Sequence, residues 1–196
     1  MFFGGMDWIL ASASPRRKEL LAEIVQAFEI IPATGEEIVD GNLTPAELVK
    51  SLARQKANEV AQRQEAVGKA VLGADTVVAL GNEVLGKPKD KDEAFRMLSA
   101  LSGKTHEVYT GVCISYPTAD GVRKEMVAAA CTKVRFFTLT SAQIRAYIAT
   151  GSPMDKAGAY GIQDGGLVEE IDGSFSNVVG LPVELCKQMI REIENR

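Results

Sequence analysis

Val71-Leu72-Gly73-Ala74-Asp75-Thr76-Val77-Val78-Ala79-Leu80 is an apolar, β-branched run closed by the turn residues Gly81-Asn82. It reads as a buried strand entering a hairpin whose return arm covers Glu83 to Gly86. Upstream, Trp8 to Ala11 and Phe28 to Ile31 read as short strands. Between them Ser14-Pro15 opens a helix through Leu21, with Ser at the N-cap and Pro at the first helical position. Thr44-Pro45-Ala46-Glu47 is a capping box for a helix running to about Gln62. Downstream, Asp90 caps a helix ending near Gly103, and His106 to Tyr116 and Glu125 to Thr138 alternate as two long strands. Their turn contains Pro117, Asp120 and Gly121. Thr140 or Ser141 caps a helix that stops at Gly151, a glycine-rich stretch follows Ala159, and Pro182 opens the closing helix. Alternating elements indicate α/β or α+β architecture, and hairpins among crossover helices predict a mixed sheet.

The 196 residues suit one domain, 1–196, built of two lobes that share a core rather than two separate domains. Apolar residues at 46% can fill such a core. A net charge of −4 means the whole molecule is not built to attract polyanions, so a phosphate site must be a local cluster of cations. No apolar run approaches the ~20 residues of a membrane span. The start lacks the basic n-region and cleavage site of a signal peptide. Cys113, Cys131 and Cys186 lie far apart without metal-ligand spacing, which points to reduced cytoplasmic thiols. A single histidine, His106, removes most histidine metal sites and catalytic triads. The chemistry then falls to carboxylates, lysines, arginines and a borrowed metal ion.

Local rules are broken at two places. In Ser12-Ala13-Ser14-Pro15-Arg16-Arg17 both arginines fall in the first helical turn, where the helix dipole disfavours each cation by about 0.3–1 kcal/mol. A bound anion would remove the conflict, with dipole, amides, guanidinium groups and serine hydroxyls converging on it. The alternative is that the arginines point to solvent. Asp75 is a carboxylate inside an apolar strand, which is expensive unless it meets cations, donors or a metal. Otherwise its end of the strand emerges from the sheet.

Lys87 supplies a check on register. A two-residue turn at Gly81-Asn82 would set Lys87 opposite Thr76, whereas a three-residue loop or a bulge near Gly86 sets it opposite Asp75. One of these irregularities is expected. Edge-strand protection is the other role open to Lys87. Lys56 shares a helical stripe with Leu48, Leu52 and Val60, so it either snorkels to water or reaches into an internal cleft. Glu36-Glu37 is either a solvated loop pair or a contributor to a cation site with Asp75. In Asp155-Lys156-Ala157-Gly158-Ala159-Tyr160-Gly161-Ile162-Gln163, the small residues permit close backbone approach, and Gln163 can both donate and accept. This suits reading a base edge, and equally suits tight packing.

These motifs together resemble the Maf family of nucleotide pyrophosphatases. The resemblance rests on Ala11 to Arg17, Gly73 to Val78, Leu85-Gly86-Lys87-Pro88, Leu101-Ser102-Gly103, Asp155 to Gln163 and Asn177-Val178-Val179-Gly180-Leu181-Pro182. It covers about residues 8 to 190, with Ala13 standing where the family more often has glycine. It implies an α/β fold of the Maf/ITPase type, with an elongated, twisted mixed sheet flanked by helices, and two lobes around a deep cleft. It also implies a homodimer that cleaves nucleoside triphosphates between the α- and β-phosphates with a divalent ion. By match to the family motif Asp75 is the proton acceptor. Ser12, Arg16, Arg17, Lys56 and Lys87 surround the triphosphate, Glu37 aids the metal, and Arg16, Thr76 and Gln163 bear on substrate choice. Asp155 to Tyr160 and Asn177 to Gly180 are similar to the branch acting on dTTP and UTP. The 7-methyl-GTP branch usually has Trp near Asp155 and Cys or Ser in place of Lys156 or Ala159.

An aspartate is a feeble base toward free water at neutral pH, so Asp75 is expected to act with Mg²⁺ or Mn²⁺ riding on the phosphates and held by Asp75 and Glu37. The rival from another class is a nucleotide-binding regulator, tied to septation, without meaningful turnover. A DNA- or RNA-binding module is disfavoured by the acidic charge and 6% aromatic content.

Overall fold

The computed structural model describes residues 5–39 and 41–195. The strands are β1 Trp8–Leu10, β2 Glu29–Ile30, β3 Ala70–Leu80, β4 Glu83–Leu85, β5 Thr105–Pro117, β6 Arg123–Phe136 and β7 Val168–Asp172. The helices are α1 Pro15–Ala22, α2 Pro45–Ala61, α3 Lys91–Leu101, α4 Ser141–Ala149, α5 Phe175–Val179 and α6 Val183–Glu194. The seven-stranded sheet has the order β2-β1-β3-β5-β6-β7, with β4 paired to β3. The pairs β1–β2 and β1–β3 are parallel, whereas β3–β4 and β6–β7 are antiparallel, so the α/β sheet is mixed as the element pattern predicts.

Contacts divide the chain into two compact units, one of residues 1–75, 110–130 and 180–196, the other of residues 76–109 and 131–179. In the first, the pleat sends alternate residues to opposite faces. Ile9, Val71 and Cys113 face α2 and pack with Ala53, Ala57 and Val60. Leu10, Leu72, Val112 and Ile114 face the other way and pack with Leu21 of α1 and with Cys186, Met189, Ile190 and Ile193 of α6. The capping residues sit where the sequence places them. Ser14 accepts from the Arg17 amide, and Thr44 and Glu47 form a reciprocal capping box.

Two glycines set how closely α2 approaches the sheet. A Cβ on Gly73 would lie 2.5 Å from the Ala53 carbonyl oxygen and 2.7 Å from the Ala57 nitrogen. A Cβ on Gly111 would lie 2.2 Å from the Val49 carbonyl oxygen. Backbone therefore rests on backbone at both points, and any side chain there would lift the helix.

In the second unit, Asp90 caps α3, and Thr140 caps α4 with Gln143 completing the box. Gly103 and Gly151 end these helices at φ of +68° and +78°. The core joins Val78, Leu98, Val134, Phe136, Ile144 and Tyr160. His106 is buried there, edge-on to Phe136 and Tyr160, with Nε2 2.8 Å from the Tyr160 hydroxyl. Burial pulls its pKa down to about 4 from 6.5. The strand β7 and the short helix α5 occupy a stretch for which the sequence reading assigns no element.

The hairpin corrects one expectation. Leu80 pairs with Glu83, so the turn holds only Gly81 and Asn82, and the three-residue loop is wrong. Gly81 takes φ of +59°, the left-handed conformation of tight hairpin turns whose twist suits the flanking strands. The register runs without a bulge to Val78 opposite Leu85, where the strand ends. Gly86 instead gives its carbonyl to the Gly158 amide at 3.0 Å. Lys87 is exposed and lies beyond the ladder.

Gly73→Ala and Gly111→Ala should each lower unfolding free energy by about 1–3 kcal/mol through overpacking, measured by urea denaturation. Gly86→Ala, with open space around its Cβ, should change it by less than about 0.5 kcal/mol. His106 titrates in the unfolded chain near 6.5 and in the fold near 4, so the unfolded state binds more protons between those values. Stability should therefore fall as pH drops from 6.5 to 4, by at most about 3 kcal/mol from this residue. In His106→Phe the urea midpoint should lose that part of its pH dependence.

Candidate active site

Asp75 lies in the middle of β3 rather than at its end, on the face that carries Val71 and Gly73 and that α2 covers. Because Gly73 lets α2 settle, Lys56 of that helix reaches Asp75 directly. Its Nζ donates to Asp75 Oδ1 at 2.5 Å and contacts Glu37 Oε1 at 2.9 Å. The side chains of Lys56 and Asp75 are 19% and 13% exposed, so the lysine turns inward instead of snorkelling. Glu37 is 46% exposed and enters from the loop preceding α2.

That loop is tied down by the same helix. Gln55 accepts from the Ile38 amide at 2.9 Å and donates to the Ile38 carbonyl at 2.8 Å. Glu59 accepts from the amides of Thr34 and Gly35 at 3.0 and 2.9 Å, and Arg63 holds Glu59 at 2.5 Å. These bonds hold the Glu59 carboxyl below the usual carboxylate range, the Thr34 and Gly35 amides contributing most. Successive turns of α2 thus grip the chain on both sides of Glu37. The sequence reading missed Gln55 and Glu59. Their signal is position, since both stand within one turn of Lys56 and follow a loop that needs anchoring.

Arg17 does not extend to solvent. Its Nε donates to the Gly180 carbonyl at 2.9 Å, and its Nη1 lies 3.4 Å from Ser12 Oγ, which also accepts from the Ser14 amide. The Gly180 carbonyl is a further partner that residue-type reasoning did not anticipate. Burial lowers the Arg17 pKa, while the charges of Asp75 and Glu37 act in the opposite sense and that of Arg16 adds to the lowering. Arg17 is therefore in electrostatic range of Arg16, Glu37 and Asp75. Ser12, Arg16, Arg17, Glu37, Lys56 and Asp75 all belong to the first unit, and together they make one polar cluster at the start of α1 and the middle of β3.

Thr76, Lys87 and Gln163 belong to the second unit. Thr76 is half-buried on β3, and Gln163 is exposed in the 3₁₀ turn Ile162–Asp164. The segment before it is strongly constrained. Gly158 has φ of +67°, a Cβ there would lie 2.8 Å from Val78, and buried Ala159 is itself left-handed at φ of +60°. Lys156 is committed internally, donating to the Ser152 carbonyl at 2.5 Å, to Ser152 Oγ at 2.9 Å and to Asp155 at 2.8 Å. Asp164 accepts from the hydroxyls of Tyr147 and Ser152, each at 2.6 Å. Close packing, one of the two readings open to this stretch, is present, and Lys156 is a structural tie within it.

The donor set also bears on a metal. Oxygens of Glu37 and Asp75 meet at a single ammonium, so a compact cation fits between two hard carboxylate donors. Among the described residues no cluster of three or more His, Cys, Asp or Glu side chains gathers to enclose a metal. Two carboxylates, with the remaining ligands taken from phosphate and water, fit Mg²⁺ or Mn²⁺ and do not fit a closed zinc site.

The family described as Maf-like protein matches residues 7–193. The chain belongs to the Maf family. A Thermococcus gammatolerans protein named dTTP/UTP pyrophosphatase is 51% identical over 179 residues, covering 90% of this chain and 91% of the relative. Proteins of the same name from Agathobacter rectalis and Anaeromyxobacter dehalogenans are 48% and 49% identical, each over more than nine-tenths of both chains. Among solved structures, the Ham1 protein of Staphylococcus aureus aligns with a TM-score of 0.50 at 14% identity, covering 95% of this Maf chain and 99% of that one. A HAM1 protein from Coxiella burnetii aligns equally well. At that identity the likeness speaks to the fold alone. No helix among the described residues is long and apolar enough to cross a membrane.

Removing the anchors should release the Glu37 loop without unfolding the protein. In Glu59→Ala, amide hydrogen exchange at Thr34 and Gly35 should quicken by roughly tenfold, while the amides of β3 keep their protection.

Proposed function

We propose that this Maf protein hydrolyses the bond between the α- and β-phosphates of dTTP and UTP, releasing the nucleoside monophosphate and pyrophosphate. The observation that carries the reading is a carboxylate set mid-strand, Asp75, in contact with Lys56 and through it with Glu37, within electrostatic range of Arg17 at a helix start. Relatives about half identical along nearly their whole length bear the name of that activity. The pyrimidine branch is favoured over the 7-methyl-GTP branch by Lys156 and Ala159, which stand where the latter has Cys or Ser.

In this reading the start of α1 receives the phosphates. Ser12, Arg16 and Arg17 are gathered there, and the bond from Arg17 to Gly180 fixes its guanidinium before substrate arrives. Lys56 and Lys87 add charge against the leaving pyrophosphate, whose negative charge grows as the anhydride bond breaks. Asp75 orients the attacking water toward the α-phosphorus and accepts its proton. Glu37 and Asp75 would hold a divalent cation, which when bound makes that water more acidic and neutralises phosphate charge. Thr76 and Gln163 would bear on the choice of base. We further infer a cytoplasmic homodimer; free Cys113, Cys131 and Cys186 are consistent with a reducing compartment.

Incubation with dTTP, UTP and 7-methyl-GTP in Mn²⁺, with products resolved by ion exchange, tests the reading. Monophosphate and pyrophosphate in equal amounts, with the pyrimidine substrates favoured, are expected. Orthophosphate release, or no turnover of either pyrimidine, would sink it. Asp75→Asn should lower kcat at least ~10³-fold while the protein still binds nucleotide and folds. Lys87→Ala should raise KM and lower kcat together, and an unchanged enzyme would remove Lys87 from the site.

A further inference from the structure

Lys56 stands on both carboxylates that the preceding reading gives to the divalent cation. Its Nζ lies 2.5 Å from Asp75 Oδ1 and 2.9 Å from Glu37 Oε1, in a position only 19% exposed. An ammonium is a compact, strongly hydrated point charge with three donors, and its flexible stem lets it move. It therefore occupies the kind of place an oxygen-ligated cation takes.

The surrounding charges decide what can displace it. The carboxylates of Glu37 and Asp75 are outnumbered by Lys56, Arg16 and Arg17, so the cluster is net positive. A lone dication entering it meets repulsion. It must also push Lys56 off its partners, leaving a mostly buried ammonium without its carboxylates. A triphosphate reverses both effects. Its charge outweighs the cations, and its oxygens give Lys56 new acceptors as the carboxylates are released.

We propose that Lys56 is an internal counter-ion that closes the divalent-cation site in the free protein and opens it when a nucleotide draws its ammonium onto the phosphates. This rests on the pyrophosphatase reading, and it adds that cation and nucleotide load together because one lysine serves both sites. Each ligand then raises the affinity for the other by the same factor, as linkage requires.

The test is a titration with Mn²⁺ alone, without nucleotide, following the free-ion electron paramagnetic resonance signal. It compares wild type, Lys56→Met, Lys56→Gln, Asp75→Asn and the double variant Lys56→Met/Asp75→Asn. Circular dichroism selects the variants that fold, and the glutamine variant keeps the carboxylates solvated if methionine does not. Wild type should bind Mn²⁺ no more tightly than Asp75→Asn. Removing the ammonium should raise Mn²⁺ affinity at least tenfold, and adding Asp75→Asn should abolish the gain. Equal affinity in wild type and both Lys56 variants would overturn the proposal, as would a gain that survives loss of Asp75. Pyrophosphate release by wild type is assayed separately, so failure of the activity and failure of the counter-ion role give different results.

Discussion

The packing of α2 directly onto the sheet is the constraint on which the site depends. At Gly73 and Gly111 a methyl group would collide with backbone atoms of α2, so the helix lies as low as a helix can. That depth brings Lys56 within hydrogen-bonding distance of a carboxylate projecting from β3. A larger residue at either glycine would meet α2 backbone, so the helix would have to rise and carry Lys56 away from Asp75. The same low seating lets Gln55 and Glu59 reach the loop that carries Glu37. One packing contact thereby fixes three charged groups that arise far apart in the chain.

The cluster is held by mutual need. Asp75 sits in a strand whose neighbours Val71, Leu72, Ala74 and Val77 are buried, where an unpaired carboxylate would be costly. Lys56 lies on the packed stripe of α2 and faces the same penalty. Each supplies the other with a partner, and Glu37 shares the lysine from the more exposed side. Arg17 is fixed independently by Gly180 and Ser12. The result is a preorganised set of opposite charges, which suits binding of a highly charged ligand.

Much of the fold was legible because local signals agreed with one another. Ser14-Pro15, the Thr44–Glu47 box, Asp90 and Thr140 each cap the helix they announce. The run from Val71 to Leu80 reads as a strand from its apolar, β-branched composition, and it is one in the structure. The hairpin failed in its detail. Neither the longer loop nor the bulge that would set Lys87 opposite Asp75 is present; the turn follows the conformational preference of Gly81 and the strand ends before Lys87. The strand β7 escaped notice because Val168-Glu169-Glu170-Ile171-Asp172 is short, acidic and at the sheet edge, where hydrogen bonds to β6 rather than burial define it.

The sequence by itself determined the order of the elements other than β7 and α5, the mixed sheet and the two anomalies that pointed to an anion, the arginines at a helix start and the aspartate in an apolar strand. These depend on neighbours within a few residues, where propensity, capping and periodicity act. The direction of Lys56, the anchoring of Glu37 by Gln55 and Glu59, and the bond from Arg17 to Gly180 were decided only by tertiary structure. Each depends on how near two distant segments come, and that distance was set by glycines whose lack of a side chain matters only once something is packed against them.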